Sequence, residues 1–303
     1  MNIVEKTSFQ NLRGELAFHH PLARYTSWRV GGVAQCFYRP ADIEDLQTFL
    51  SQLPPEEPLT WLGLGSNVLI RDGGLPGTVI LTLHRLNRLE LIEPCTIYAE
   101  AGVTCAKVSK LCIKNGFEKG AFFAGIPGTV GGALAMNAGA FSGECWTYVT
   151  EVTTMDRQGK CYRRQPSSFT ISYRSVEGLN EEFFVAGSFR FEKGDPERAK
   201  QLVKQLLQSR HQAQPIGVYS CGSVFKNPSN DYAGRLIEAA GLKGLTVGDA
   251  IVSEKHANFI INRGRATAAD VENLIEKVKV KVREQFGVEL IPECRILGQR
   301  SLM

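Results

Sequence analysis

The stretch that most constrains this chain is Gly125–Ala140, GIPGTVGGALAMNAGA, which holds five glycines, one proline and no charge in sixteen residues. Glycine lacks a Cβ and tolerates φ > 0, so another backbone or a ligand can lie directly against it. Pro127 sets one φ and removes a donor. From Thr129 onward the composition becomes helix-compatible, through Val130, Ala133, Leu134, Ala135 and Met136. The segment predicts a tight turn feeding a short buried helix, with the amides between Gly128 and Gly132 free to face an anion. A packed turn between two buried elements explains the same composition equally well.

A second glycine-bearing loop interrupts the apolar run LTWLGLGSNVLIRDGG at Gly63, Gly65, Ser66 and Asn67. Gly63 and Gly65 match the start of a GxGxxG dinucleotide fingerprint, but Val68 stands where the third glycine belongs, and no long helical pattern follows. No GK[ST] occurs in the chain, which excludes a Walker A loop. What remains is a strand–loop–strand whose amides and hydroxyl suit a diphosphate. A third polar loop, SCGSVFKNP, spans Ser220 to Pro228.

Composition narrows the function classes. The chain has 303 residues, 43% apolar and 22% charged, enough for two or three globular domains. A net charge of +4 is too small to argue for nucleic acid and fits local basic sites for an anionic small molecule. No apolar run is long enough to span a bilayer, and the N-terminus lacks the apolar core of a signal peptide. The eight cysteines form no CxxC and no Cys/His cluster with zinc-ligand spacing, so neither a metal nor a redox motif is expected. Cys105, Cys112 and Cys161 read as buried small hydrophobes, and a reducing cytoplasm is the simplest compartment.

Periodicity places the elements. Residues 1–20 read as an N-terminal arm or short helix. RYTSWRVGG, Arg24 to Gly32, alternates like a strand. Helices are expected at Asp42–Leu53, Val103–Asn115, Asp195–His211 (Asp195 as N-cap, Pro196 at the first turn), Ala233–Gly241, and from an N-cap at Thr267 with Asp270 in capping-box position. Strands are expected at residues 79–101, in TYVTEVTTMD, GKCYRR and EFFVAGSFRFE, and in the C-terminal GVELIPECRIL.

Taken together, YTSWRVGG, LGLGSNVLIRDGG, AGIPGTVGGALAMNAGA, ISYRS, GSVFKNP, AGRLIEAAGLKG, SEKHANFIIN and PECRILG resemble, in order from residue 25 to 298, the UDP-N-acetylenolpyruvoylglucosamine reductase family. The resemblance implies an α+β fold of the vanillyl-alcohol-oxidase/PCMH FAD-binding type. Two flavin-holding α+β subdomains are then expected at 1–85 and 86–194, with a smaller substrate domain at 195–303. The compact spacing between Arg174 and Ser223 resembles the shorter, type II members. The implied activity is NADPH-dependent reduction, through non-covalent FAD, of an enolpyruvyl ether on a UDP-sugar to a lactyl ether in peptidoglycan precursor synthesis. A monomer is expected, with no metal, nucleic-acid or membrane partner. The alternatives are another FAD oxidoreductase of the same fold, acting on an alcohol or sugar, and a flavin-binding module without catalysis.

Matched to the family's motifs, Ser223 is the proton donor, and Arg174 and Glu293 stand beside the substrate carboxylate. A guanidinium forks onto a carboxylate and keeps its charge. A glutamate near a second carboxylate holds its proton more tightly. Lys226 and Asn227 are candidates for the diphosphate or carboxylate region. Lys255 and Asn258 are candidates for facing the substrate, and serve equally well as a solvated charge and a structural amide. For FAD, the expected contacts are Gly63, Gly65, Ser66 and Asn67 at the diphosphate, and Gly125, Gly128, Thr129 and Gly132 as the facing wall. Asn137 and Gly139 are expected nearer the ring system. His256 reads as structural. Cys221, two residues from Ser223, reads as a thiol whose alkylation blocks the site.

Overall fold

A computed structural model of the protein describes Val4 and residues 8–301. It divides into two compact units. One comprises the chain up to Phe18, Cys36–Leu64 and Gly77–Arg210; the other comprises His19–Gln35, Gly65–Pro76 and everything from His211. The boundaries expected at 85/86 and 194/195 follow the chain, whereas these units interleave three segments each.

The first unit has two hydrophobic cores. One lies under a four-stranded sheet in the order Glu15–Pro21, Val33–Arg39, Leu75–Leu81, Leu59–Leu62, the last pair parallel with Leu59 opposite Thr78. Helix α1, Ile43–Leu50, covers it because Leu46, Phe49 and Leu50 recur on one face. Asp42 caps α1 by accepting the Asp45 N–H at 2.9 Å. Tyr38 stacks on Phe49 with centroids 3.8 Å apart, and its hydroxyl donates to buried Asp45 at 2.6 Å. Asp45 also accepts the Arg13 and Ala41 amides at 2.7 and 2.8 Å. Burial pushes the Asp45 carboxyl up, but these hydrogen bonds outweigh it and the group ends below the usual carboxylate range.

The second core lies under a five-stranded antiparallel sheet in the order Cys161–Arg164, Val149–Met155, Phe183–Arg190, Thr96–Glu100, Leu89–Glu93. Helix α2, Cys105–Lys114, and the six-residue helix α3, Val130–Ala135, bury Cys105, Val108, Cys112, Ala133 and Leu134 in this core. The strands Thr170–Ser172 and Ser175–Glu177 form a hairpin whose turn is Tyr173–Arg174. Helix α4, Pro196–Ala213, starts where expected: the Asp195 side chain accepts the Glu197 N–H at 2.9 Å. Its leucine stripe is only partly covered, since Ala199 and Val203 are buried while Leu207 is exposed.

The second unit has one core, shared by Trp28, Leu69, Val224, Phe225 and two helices, α5 (Ala233–Ala239) and α6 (Ala268–Phe286). Val271, Leu274, Ile275, Val278 and Val282 line the buried face of α6, as their spacing requires. Thr267 and Asp270 close the capping box, and Asp72 adds a second cap by accepting the Ala268 and Ala269 amides at 3.0 and 2.9 Å. A three-stranded sheet (Thr246–Val247, Ala250–Val252, Ile260–Asn262) and a parallel pair (Val68–Ile70 with Arg295–Leu297) complete the unit.

Three expectations are corrected. Glu15–Pro21 is a strand rather than an arm or helix; residues 1–3 and 5–7 of that stretch lie outside the described residues. Arg24–Gly32 is not a strand: Ala23–Tyr25 is a 3₁₀ turn, and Thr26 Oγ1 donates to the Val30 carbonyl at 2.9 Å. Trp28 is buried and donates from Nε1 to the Ile260 carbonyl at 2.8 Å, so tertiary anchoring overrides the alternating pattern. Of the C-terminal run only Arg295–Leu297 is a strand, because Pro292 interrupts the ladder with a single bridge to Phe225.

Candidate active site

In the first unit the glycine-rich segment forms a wall beside Gly63. A Cβ added to Gly63 would lie 2.3 Å from Thr129 Oγ1. Thr129 is buried, and its hydroxyl has no hydrogen-bond partner within the protein. An unpaired buried hydroxyl costs about 1–3 kcal/mol. Gly132 is exposed, and a Cβ there would meet only Thr129 Oγ1, at 3.8 Å, whereas Cβ atoms on Gly125, Gly131 and Gly139 would strike protein atoms at 2.5, 2.8 and 2.5 Å. The open side of the wall is therefore Thr129–Gly132.

The expectation of free amides between Gly128 and Gly132 is corrected for three of them. Gly128 N–H donates to Ile126, Val130 N–H to Val103 and Gly131 N–H to Ala101, at 2.9, 2.8 and 2.9 Å. The segment is stitched to its neighbours through these bonds. Asn137, at φ +41, is equally engaged: Nδ2 donates to Glu144 Oε2 at 3.0 Å and to the Ser172 carbonyl at 3.1 Å, and Oδ1 accepts the Trp146 amide at 3.2 Å. Its side chain braces the hairpin that carries Arg174. Arg174 takes φ +55 in that turn, and its guanidinium donates to the Asn137 and Gly139 carbonyls at 3.3 and 2.9 Å. A non-glycine residue in this region is uncommon, and held strain of this kind concentrates at functional sites.

Arg210 was missed by motif reasoning. It is half-buried at the end of α4 and donates to the Gly125 carbonyl at 2.7 Å; burial pulls its guanidinium below the ordinary arginine range. Periodicity carried the signal, since Ala199, Val203, Leu206 and Arg210 share one stripe of the helix.

The second unit holds the remaining candidates. Gly65 has φ +69, and a Cβ there would lie 1.9 Å from the Tyr25 carbonyl oxygen, so the turn itself demands glycine. Asn67 Nδ2 donates to the Glu293 carbonyl at 3.2 Å, and the Asn67 carbonyl accepts the Arg295 amide at 3.0 Å. Glu293 N–H donates to the Val224 carbonyl at 2.7 Å, and Lys226 N–H to Ile291 at 2.9 Å. This short ladder places the segments carrying Ser223 and Glu293 side by side, although 70 residues separate them in sequence. Arg174 belongs to the first unit, Ser223 and Glu293 to the second.

The expected substrate contacts fall into two kinds. Lys226 is half-buried beside Ser223, and Lys255 is exposed with Nζ donating to the His211 carbonyl at 2.7 Å. Asn227 is exposed, but its Oδ1 accepts the Ala233 amide at 3.1 Å and starts α5. Asn258 is buried; its Oδ1 accepts the Phe225 N–H at 3.0 Å and its Nδ2 donates to the Phe225 carbonyl at 2.9 Å. Its amide is thus engaged by the loop rather than turned outward. His256 accepts the Asn258 amide through Nδ1 at 3.3 Å, and burial pulls its pKa down. Cys221 is buried as well. Burial raises its thiol pKa well above the ordinary value, reinforced by contact with Cys294 and the nearby Glu293 charge. Among the described residues no group of three or more His, Cys, Asp and Glu could hold a metal ion, and no helix is long and apolar enough to cross a membrane.

Comparison with known proteins decides the family. Residues 34–164 match the family described as FAD binding domain, and residues 214–297 match UDP-N-acetylenolpyruvoylglucosamine reductase, C-terminal domain. A Coxiella burnetii (strain Dugway 5J108-111) UDP-N-acetylenolpyruvoylglucosamine reductase is 58% identical over 98% of this chain and 100% of its own length. That of Legionella pneumophila (strain Paris) is 53% identical over 96% of each chain. The chain belongs to the UDP-N-acetylenolpyruvoylglucosamine reductase family. The crystal structure of the Thermus caldophilus reductase superposes with a TM-score of 0.80 at 30% identity, covering 95% of this chain and all of that one. The fold is accordingly the α+β, PCMH-type FAD-binding fold of that family. In a reductase of this family the unpaired Thr129 hydroxyl beside Gly63, next to the open face at Gly132, fits a polar cofactor such as FAD.

Proposed function

We infer that the protein reduces UDP-N-acetylglucosamine enolpyruvate to UDP-N-acetylmuramate, with FAD as cofactor and NADPH as reductant. The observation that supports this reading is the backbone ladder between Val224 and Glu293, which pairs the segments that carry Ser223 and Glu293 in a chain of the reductase family. Bound FAD would supply the two-electron chemistry that carries hydride from NADPH to the methylene carbon of the enolpyruvyl group. Gly63, Gly65, Ser66 and Asn67 would hold its diphosphate, Gly125, Gly128, Thr129 and Gly132 would form the facing wall, and Asn137 and Gly139 would stand nearer the ring system.

The chain's own groups handle charge and protons. Arg174 forks onto the pyruvyl carboxylate and stabilises the enolate charge that develops there. Ser223 Oγ donates the proton to the carbon next to that carboxylate. Glu293 raises the polarity of this corner and holds a hydrogen bond to the carboxylate when protonated. Lys226 and Lys255 supply positive charge for the diphosphate, and Asn227 shapes the loop between them. The division into 1–85, 86–194 and 195–303 is the one we propose for cofactor and substrate work. All eight cysteines are free, which fits a reducing cytoplasm, and we propose a monomer.

The test is a single turnover. Purified protein should be yellow, should bleach when NADPH is added without oxygen, and should regain colour when the enolpyruvyl UDP-sugar is added, with one equivalent of UDP-N-acetylmuramate formed. Colour that NADPH never bleaches, or bleached protein that this substrate cannot reoxidise, rejects the assignment.

A further inference from the structure

Four segments of the second unit are joined in sequence by hydrogen bonds. Asn67 Nδ2 donates to the Glu293 carbonyl, Glu293 N–H to the Val224 carbonyl, and Val224 N–H to the Asn258 carbonyl, at 3.2, 2.7 and 2.9 Å. The Asn258 side chain then closes both backbone groups of Phe225, accepting its N–H at 3.0 Å and donating to its carbonyl at 2.9 Å. Asn258 is 4% exposed, Val224 0% and Phe225 2%, so none of these polar groups could exchange its partner for water without opening the core. On the other side of Ser223, Gly222 at φ +84 has nothing within 4 Å of its missing Cβ. Ser223 thus lies between buried Cys221 and the doubly hydrogen-bonded Val224–Phe225 pair, with an open glycine next to it.

We propose that Asn258 is the positioning residue for the proton-donating serine: its amide clamps Phe225, and through the Val224–Glu293 pairing it fixes Ser223 and Glu293 relative to each other. This rests on the reading of Ser223 and Glu293 given above. Asn258 acts through backbone, because its amide offers an acceptor to the Phe225 N–H and a donor to the Phe225 carbonyl. A side chain that touched the substrate would alter its binding. A clamp alters the proton transfer and leaves binding alone.

The experiment uses FAD-loaded protein in rapid mixing, with separate measurement of flavin reduction by NADPH, of reoxidation by UDP-N-acetylglucosamine enolpyruvate, and of that substrate's Kd from the spectrum of the oxidised enzyme. For Asn258→Ala, reduction and Kd should stay within about threefold, while saturated reoxidation slows by about 10²-fold, the usual effect of displacing a reacting group by an ångström. The solvent deuterium isotope effect on reoxidation should grow, because proton delivery becomes more limiting; a loss of folded protein would scale the amplitude and leave that effect unchanged. Asn258→Asp keeps the acceptor for Phe225 N–H and loses the donor; it serves if the alanine variant does not fold, and should show the same pattern at about tenfold. Unchanged reoxidation, or a loss confined to substrate Kd, overturns the clamp. Ser223→Ala is the control: if it too reoxidises at the normal rate, the proton-donor reading fails first, whereas a slow Ser223→Ala beside a normal Asn258→Ala removes the clamp alone.

Discussion

Gly63 and Thr129 face each other so closely that a Cβ on the glycine would lie 2.3 Å from the threonine hydroxyl. That hydroxyl is buried without a partner, while the neighbouring Gly132 opens onto free space. The unpaired hydroxyl and the open glycine face are thus neighbours in the wall.

Thr129→Val removes an unpaired hydroxyl and leaves the shape. The flavin-stripped protein should keep or slightly raise its Tm, because no bond is lost, whereas FAD should bind about tenfold more weakly, the value of roughly one hydrogen bond. Fluorescence titration with FAD reads this directly. An unchanged FAD Kd would detach Thr129 from the cofactor.

Gly132→Ala adds a methyl into open space within α3. Alanine favours a helix interior over glycine by about 1 kcal/mol, so the flavin-free protein should become more stable while its FAD content falls. Urea unfolding and the flavin-to-protein absorbance ratio test the two halves independently. Full flavin content would move the wall elsewhere.

Asp45 joins Tyr38, the Arg13 amide and the Ala41 amide in one buried cluster. Asp45→Ala strands all three donors and should cost about 3 kcal/mol or more, with Asp45→Asn costing less because an acceptor survives. Urea midpoints at neutral pH measure the difference. Equal, small losses would mean that water reaches the cluster.

Glu272 is held below the ordinary glutamate range, first by its paired hydrogen bonds to Arg71 at 2.9 Å, against burial, and then by Arg300 at 3.0 Å. A carboxylate more acidic folded than unfolded binds fewer protons in the native state, so its stabilisation is complete above the unfolded value near about 4.3 and disappears as pH falls through the lower folded value. Glu272→Gln should lower Tm at neutral pH and flatten its decline below about pH 5. Parallel acid limbs in variant and parent would contradict this.

Cys221 sits two residues from Ser223, and the sequence alone marks it as an alkylation target. The structure makes it inert, since burial keeps the thiol protonated. Maleimide should label half-buried Cys95 before Cys221, with activity retained; peptide mass spectrometry gives the order. Rapid modification of Cys221 with loss of turnover would refute the burial.

Much of the architecture was legible from local signals. The capping box at Thr267, the Asp195–Pro196 helix start and the stripe of α6 depend on residues within one or two turns, and each appears where spacing places it. Arg24–Gly32 misled because alternation describes a strand only when a partner strand exists; here Trp28 is drawn into the core by Ile260, more than 200 residues away. Two of the amides expected to be free, those of Val130 and Gly131, are engaged by Val103 and Ala101, which no local pattern reveals.

By itself the sequence determined the family, through eight short motifs in order, and the kinds of group available for the chemistry, because residue identity and spacing are local properties. Which of those groups face a ligand was a matter for the tertiary structure. It left Thr129 unpaired, turned Asn137 and Asn258 inward, and brought Glu293 beside Val224. Whether a polar atom is satisfied depends on segments far away in the chain, and only the packed fold brings them within reach.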